Sequence, residues 1–327
     1  MRNQHDTGMK HYLGLDIGGT HSKAGLVDEQ GRMIDQFITP TRAEEPAEKM
    51  FNDIIHLLYQ RQKTWHSIAL EGIGVGVPGV LDREKSQIRE ASNLKRWVGF
   101  PLKEFLEAKT SARVRIENDA SMAALGEYWA GAGKKYNSML MITLGSGIGG
   151  AIIHQGKVLE WNGFSSEIGH MVINYNGPLC RCGKRGCLET YNGRYGLQRL
   201  QQEIIKNPTN KGSEELTELL TPKQLSEKAI HGDPLARQIF TEAGDALGVG
   251  ISNILNLLRV DAVIIGGGIA RAWPGILDRA EKTMKEHTFQ VEPNTKLIHP
   301  AELGESAGVI GAGMHIFRSS RNSCSEQ

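Results

Sequence analysis

The sequence predicts an α/β fold built from two related halves, and three observations carry that expectation. The order apolar strand, glycine bend, strand occurs twice, at Tyr12 to Val27 and at Met139 to His154. Helical apolar spacing alternates with short apolar runs between and after these repeats. The length, 327 residues, allows two domains or one large one and a substantial core that needs no metal to compensate for small size.

Taken in order, Tyr12 to Ile17 is an apolar run ending in Asp16-Ile-Gly-Gly-Thr20, and Lys23 to Val27 resumes strand composition, so the pair reads as a hairpin around a glycine bend. Met33 to Thr39 extends the same sheet. Ala47, Met50, Phe51, Ile54, Ile55, Leu57 and Leu58 recur at helical spacing, and Ile73 to Val77 is a strand stopped by Pro78-Gly79. Val114 to Ile116 leads into Glu117-Asn-Asp119, where Asn118 or Asp119 caps a helix running to about Trp129. The second cycle has a strand at Met139 to Leu144, a bend at Gly145 to Gly150 and a return strand at Ala151 to His154. A long apolar helix follows from Pro234 to about Leu258, with Gly244, Gly248 and Gly250 permitting close packing. Asp261 to Ile265 is a strand emptying into Gly266-Gly267-Gly268, and Ala307 to Phe317 is a last helix before a polar tail.

The formal charge is +1, from 38 basic and 37 acidic residues, with no long basic run, which argues against a nucleic-acid or membrane partner. Three of the four cysteines are clustered and Cys324 stands alone in the tail, a poor basis for a disulfide framework. The first eleven residues lack the apolar core of a signal peptide, and no stretch reaches the ~18 apolar residues of a membrane span. A soluble, cytoplasmic protein is expected.

The strongest local signal is His170 followed by Cys180-Arg-Cys182-Gly-Lys-Arg-Gly-Cys187. One imidazole and three thiols within eighteen positions supply the four ligands of a closed tetrahedral zinc site. Spacing alone fits two roles equally: an inert knuckle far from any chemistry, or a metal that shapes a polar pocket with Glu167 and Glu189 beside it.

Three glycine-rich bends follow three apolar strands, and each is able to turn backbone N–H groups toward a phosphate. Any one alone is an ordinary tight turn. Gly145-x-Gly147-x-x-Gly150 satisfies the dinucleotide spacing, but that motif opens a helix, and Ala151 to His154 reads as a strand, so a nicotinamide site is rejected. No glycine spacing ends in Gly-Lys-Ser or Gly-Lys-Thr, so a P-loop is absent. The three together, with Asp16 and Thr20 in the first and Thr143 beside the second, favour a clamp for nucleotide phosphates and their magnesium.

These motifs occur in an order that resembles the ROK family of sugar kinases: Asp16-Ile-Gly-Gly-Thr20 with Lys23, Glu117-Asn-Asp119-Ala, Leu144-Gly-Ser-Gly-Ile-Gly-Gly150, Glu167-Ile-Gly-His170 and Cys180-x-Cys-Gly-x-x-Gly-Cys-x-Glu189. The resemblance spans roughly residues 12 to 315. It implies the two-domain actin and hexokinase type of ATPase fold, with ribonuclease H-like repeats and an interdomain cleft for ATP and a hexose. The implied division is a smaller domain at 1–124, a larger one at 125–306 with the zinc motif, and a terminal helix at about 307–327 returning to the first. Asp119 is implied as general base. Asn93, Asn118, Asp119, Glu167, His170 and Glu189 are implied as sugar contacts. For ATP the resemblance points to Asp16, Gly18, Gly19, Thr20, Lys23, Thr143, Gly145, Gly147, Gly266, Gly267 and Gly268. Zinc on His170, Cys180, Cys182 and Cys187 would be structural, and magnesium would arrive with ATP.

Two positions depart from the family pattern. Ser146 stands where many members have threonine, which keeps a hydroxyl. Ser166 replaces a glycine immediately before Glu167, which bears on the choice of sugar. The implied activity is ATP-dependent phosphorylation of a hexose, with glucose first, and N-acetylmannosamine, N-acetylglucosamine or fructose as rivals. A sugar-responsive ROK transcription regulator is disfavoured, since only eleven residues precede Tyr12. A homodimer or homotetramer is the family-level expectation.

Overall fold

The computed structural model describes residues 10–62, 70–91, 93–161, 165–206, 218–272, 275–292 and 294–322. Cys324 and most of the first eleven residues lie outside them. The chain divides into two compact units: Met1–Lys134 with Gly156–Ser165 and Glu305–Gln327, and Lys135–Gln155 with Ser166–Gly304.

In the first unit, strands β1 (His11–Ile17), β2 (His21–Asp28) and β3 (Met33–Pro40) precede helix α1 (Ala47–Gln62) and strand β4 (Leu70–Val77). A small hairpin, β5 (Val80–Leu81) and β6 (Ile88–Glu90), leads to α2 (Leu102–Thr110), β7 (Arg113–Asn118) and α3 (Asp119–Ala130). The sheet order is β3-β2-β1-β4-β7, antiparallel through the first three strands and parallel from β1 to β7. Nearly every residue of β1 is buried, as a central strand covered on both faces requires. One face carries the apolar side of α1, with Met50, Phe51, Ile54 and Leu58 packed beside Trp97, whose indole N–H donates to the Glu45 carbonyl.

The second unit repeats the plan. Strands β8 (Ser138–Leu144) and β9 (Ile148–His154) form an antiparallel pair, and the chain passes through β10 (Lys157–Val158), part of the first unit, before returning. Helices α4 (Gly193–Lys206), α5 (Pro222–Ile230) and α6 (Pro234–Leu258) precede β11 (Ala262–Gly266), α7 (Gly268–Ala272), α8 (Gly275–His287) and β12 (Ile298–Pro300). The run β9-β8-β11-β12 matches β2-β1-β4-β7 in order and direction. Asp233 caps α6 by accepting the Ala236 N–H at 2.9 Å. A side chain at Gly248 would fall 2.6 Å from the Ala280 carbonyl oxygen, so this glycine does let α6 approach α8.

The expected boundary at 124/125 is corrected to 134/135, because α3 is one continuous helix packed on the terminal helix α9 (Ala307–Asn322). The bend expected over Gly145–Gly150 is shorter than that: Gly149 and Gly150 pair within β9 with Thr143 and Ile142. Helix α9 does lie on the first sheet, and glycines make this geometrically possible. Gly14 and Gly74 present bare backbone to Val309 and Ala312, and Gly126 of α3 meets Ala307 in the same way. Where α3 and α9 cross, a methyl on Gly311 would run into the Met122 carbonyl, with the Gly126 N at 2.8 Å. Gly311→Ala is therefore expected to cost about 1–3 kcal/mol by overpacking and to lower the melting temperature by several degrees. An unchanged thermal melt would contradict the close crossing.

Among the described residues no helix is long and apolar enough to cross a membrane.

Candidate functional site

In the first unit the parallel strands bring their carboxyl ends to one edge, where ligands bind in open α/β sheets. Asp16, one residue before the end of β1, is in register with Gly76 of β4, and Gly76 pairs with Glu117 of β7. The turn after β1 is closed by the Gly18 N–H donating to the His21 carbonyl at 3.1 Å, leaving Gly19 and Thr20 exposed. Exposed Asn93 lies beside this turn, its Nδ2 3.7 Å from the position a Gly19 side chain would take. Lys23 stands opposite Asp16 in the hairpin register and pairs with Glu305 at 3.1 Å.

The strand β7 turns directly into α3. Asn118 is the cap: its Oδ1 accepts the N–H groups of Ala120 at 2.9 Å and Ser121 at 3.2 Å, while its Nδ2 donates to the Gly79 carbonyl. That leaves Asp119 as the first helical residue, with Oδ1 accepting the Ala120 N–H at 2.9 Å. A side chain on Gly76 would lie 3.4 Å from the Asp119 Cα, so the bare strand makes room for this helix start.

Asp16 also lies against the first turn of α9, where a side chain on Gly308 would come within 2.6 Å of its carboxyl group. Burial first, then the charge of Asp119, push the Asp16 carboxyl up from 3.8 to about 7, against the pull of Lys23. A carboxyl raised in the folded state stabilises the fold fully only below its unfolded value, and that contribution is lost as pH rises through the folded value. Asp16→Asn is thus expected to raise the melting temperature of the ligand-free protein at pH 8, with a gain that shrinks toward pH 5. Melts at the two pH values check this, and an equal effect at both would contradict it.

In the second unit, two glycine loops sit side by side at the ends of adjacent parallel strands, since Gly266 of β11 pairs with Thr143 of β8. The first, Gly145–Gly147, closes with the Gly145 N–H donating to the Gly147 carbonyl at 3.0 Å. It is pinned from below by the start of α4, whose Arg194 N–H donates to the Gly145 carbonyl at 2.9 Å. In the second, Gly267 has a φ of 94° and packs on Leu144 while Gly268 is exposed. A strand, not a helix, starts at Ile148 inside the Gly145–Gly150 run, which is at odds with a dinucleotide fingerprint.

The cysteine cluster forms where it was expected. One nitrogen or sulfur atom from each of His170, Cys180, Cys182 and Cys187 lies within 4.8 Å of the others. Cys180 Sγ is 3.8 Å from His170 Nδ1, and Cys182 Sγ is 3.6 Å from Cys187 Sγ. A tetrahedron around zinc with bonds of ~2.3 Å has edges of ~3.8 Å, so the donor set fits that ion. Burial, then the neighbouring thiols, push the Cys187 thiol up to about 12 and burial pushes the Cys180 thiol up, while the Lys184 backbone N–H holds Cys182 below the usual thiol range; a divalent cation would favour the thiolate in all three. Gly183 and Gly186, at φ of 85° and 71°, make the turns between the ligands.

The cluster reaches the glycine loop through one carboxylate. Two residues after Cys187 stands Glu189, whose Oε2 accepts the Ile148 N–H at 3.0 Å and fills the space beside Gly147. Glu167 is exposed and its carbonyl accepts the His170 N–H at 3.0 Å. The first unit therefore gathers Asp16, Gly18, Gly19, Thr20, Lys23, Asn93, Asn118 and Asp119. The second gathers Thr143, Gly145, Gly147, Glu189 and Gly266 to Gly268, with the cluster joined to them through Glu189.

The sequence profile of the ROK family matches residues 12–318. The chain belongs to the ROK family. Among ROK relatives, the glucokinase of Halalkalibacterium halodurans is 36% identical over 92% of this chain and 93% of its own length. A ROK glucokinase from Streptomyces griseus, solved in complex with glucose and AMPPNP, is 31% identical, with a TM-score of 0.77 over 94% of this chain and 98% of that one. The xylose repressor of Caldicellulosiruptor bescii is 27% identical over 91% of this chain and 76% of its own length. The fold is accordingly the actin and hexokinase type of ATPase that ROK hexokinases share.

One group of side chains escaped sequence reading. Lys85 is held between Glu117 and Glu160 in the first unit. The only hint in the sequence was Glu117 standing beside Asn118-Asp119.

Proposed function

We propose that this chain transfers the γ-phosphoryl group of ATP to the 6-hydroxyl of glucose. The observation that carries it is the match, along nearly the whole length of both chains, to the Streptomyces griseus enzyme solved with glucose and AMPPNP. The glucokinase of Halalkalibacterium halodurans supports the same activity.

Asp119 is the general base, accepting the hydroxyl proton as the sugar oxygen attacks the γ-phosphorus. Its place in the first turn of a twelve-residue helix favours the ionised carboxylate. Asn118 is the cap, and Asp119 Oδ1 shares only the Ala120 N–H with it. Asn118 has one amide N–H beyond its bond to Gly79, which suits a sugar oxygen. Asn93, Glu167, His170 and Glu189 supply the remaining donors and acceptors that a polyol needs.

The turn at Asp16, Gly18, Gly19 and Thr20 receives phosphate oxygens, as do Thr143, Gly145 and Gly147. Lys23 adds positive charge, and Gly266 to Gly268 lie near the nucleoside. Magnesium bound to ATP would supply positive charge to offset that building on the transferring group. His170, Cys180, Cys182 and Cys187 would hold zinc, and the His170 nitrogen nearer the cysteines, Nδ1 at 3.8 Å from Cys180 Sγ, would be the ligand, so that Nε2 would serve a sugar hydroxyl. With four protein ligands the zinc would be structural.

Product analysis tests the position of transfer. Glucose and Mg-ATP are expected to give a product that glucose-6-phosphate dehydrogenase oxidises; glucose 1-phosphate, or inorganic phosphate alone, would overturn the assignment.

A further inference from the structure

Behind the start of α3 lies a cavity of about 260 Å³ lined by Lys85, Glu117, Trp129, Lys157, Glu160 and His315, among others. Lys85 enters it from the loop between β5 and β6. That loop is fixed by Asp82, whose carboxylate accepts the N–H groups of Ser86 at 2.7 Å and Gln87 at 2.9 Å and the Ser86 hydroxyl at 2.8 Å. The Lys85 backbone is held at a φ of 52°. Its ammonium group donates to Glu117 and, at 2.6 Å, to Glu160.

Glu117 is 3% exposed. Its second oxygen accepts the backbone N–H of Asn118 at 2.9 Å. Asn118 in turn caps the helix that begins with Asp119. A chain of contacts thus runs from Lys85 through the Glu117 carboxylate to the peptide that sets the direction of Asn118 and Asp119. A buried ion pair is a poor source of stability, because desolvation offsets its attraction. Its position is what distinguishes it. Without the Lys85 ammonium group, the buried Glu117 carboxylate would face the like charge of Glu160 uncompensated, with burial favouring its protonation or withdrawal.

We propose that Lys85 is a positioning residue for phosphoryl transfer: clamped between Glu117 and Glu160, it holds the Glu117 carboxylate on the Asn118 N–H and so fixes the orientation of Asp119. This rests on Asp119 being the base.

Steady-state kinetics of Lys85→Gly, Lys85→Arg, Glu117→Gln and the Lys85→Gly/Glu117→Gln double variant, each well below its own melting temperature, test it. Glycine accepts the φ of Lys85 without strain, so the first change removes the ammonium group and leaves the loop free to keep its path. Lys85→Gly is expected to lower kcat at least thirtyfold while KM for glucose and for ATP stays within threefold. Lys85→Arg should retain at least a third of the parent kcat. The double variant should be no worse than the poorer single variant within threefold, because both changes break one chain of contacts. A Lys85→Gly kcat within threefold of the parent, an equal loss in Lys85→Arg, or losses that multiply in the double variant would each overturn the proposal. Failure of the base assignment is read separately: Asp119→Asn would then keep turnover, whatever Lys85 does.

Discussion

Asp119→Asn is expected to lower kcat for glucose phosphorylation by roughly 10²–10⁴-fold, the range a positioned general base contributes, while glucose binding changes little. The reason is local. Asparagine is nearly the same size, and the helix start does not depend on residue 119, because Asn118 supplies the cap through its bonds to Ala120 and Ser121. The amide oxygen can still accept the Ala120 N–H now accepted by Asp119. What disappears is the ability to take a proton. Calorimetric titration of glucose into the variant, alongside kcat, separates the two effects. Near-parental kcat would refute the base assignment, and lost glucose binding would mean that Asp119 chiefly holds the sugar.

The second large effect concerns the metal cluster. Cys182→Ser is expected to lose zinc and to weaken glucose binding by about 10–100-fold, the usual consequence of disturbing the groups that orient a metal-bound ligand. Cys182 is exposed, so the change leaves no cavity in the core. Its effect travels through the turns that the metal ties together: the Leu188 N–H donates to the Met171 carbonyl at 2.9 Å, and Glu189 reaches the Ile148 N–H. Metal content by atomic emission and glucose affinity by calorimetry should fall together. A zinc-free variant that binds glucose normally would return the cluster to an inert knuckle.

The cluster of His170 and the three cysteines was legible because its members fall within a short stretch whose spacing is itself the signal. Asp119 was legible as a helix start, and the repeated strand, glycine bend, strand order gave the two related halves. Contacts between distant residues were not legible. The bond from Glu189 to the Ile148 N–H spans 41 positions, and the pairs of Lys85 with Glu117 and Glu160 span 32 and 75. Nothing in local composition marks such partners. The return of residues 156–165 to the first unit was hidden for a related reason, since a two-residue strand such as β10 has no periodicity to read. The boundary near 124 failed because Ala123, Ala124 and Leu125 lie inside a helix that the last element of the chain completes by packing. Gly14, Gly74, Gly126 and Gly311 marked no turns; they are places where α9 touches bare backbone, which becomes visible only once the helix is in position.

Release of ADP from Mg-ATP, followed across a panel of glucose, mannose, fructose, N-acetylglucosamine and N-acetylmannosamine, bears most directly on what this protein does. Glucose is expected to give the highest kcat/KM, with no comparable release when sugar is omitted. No glucose-dependent ADP release, or a clear preference for an N-acetylated sugar, would contradict the glucokinase assignment.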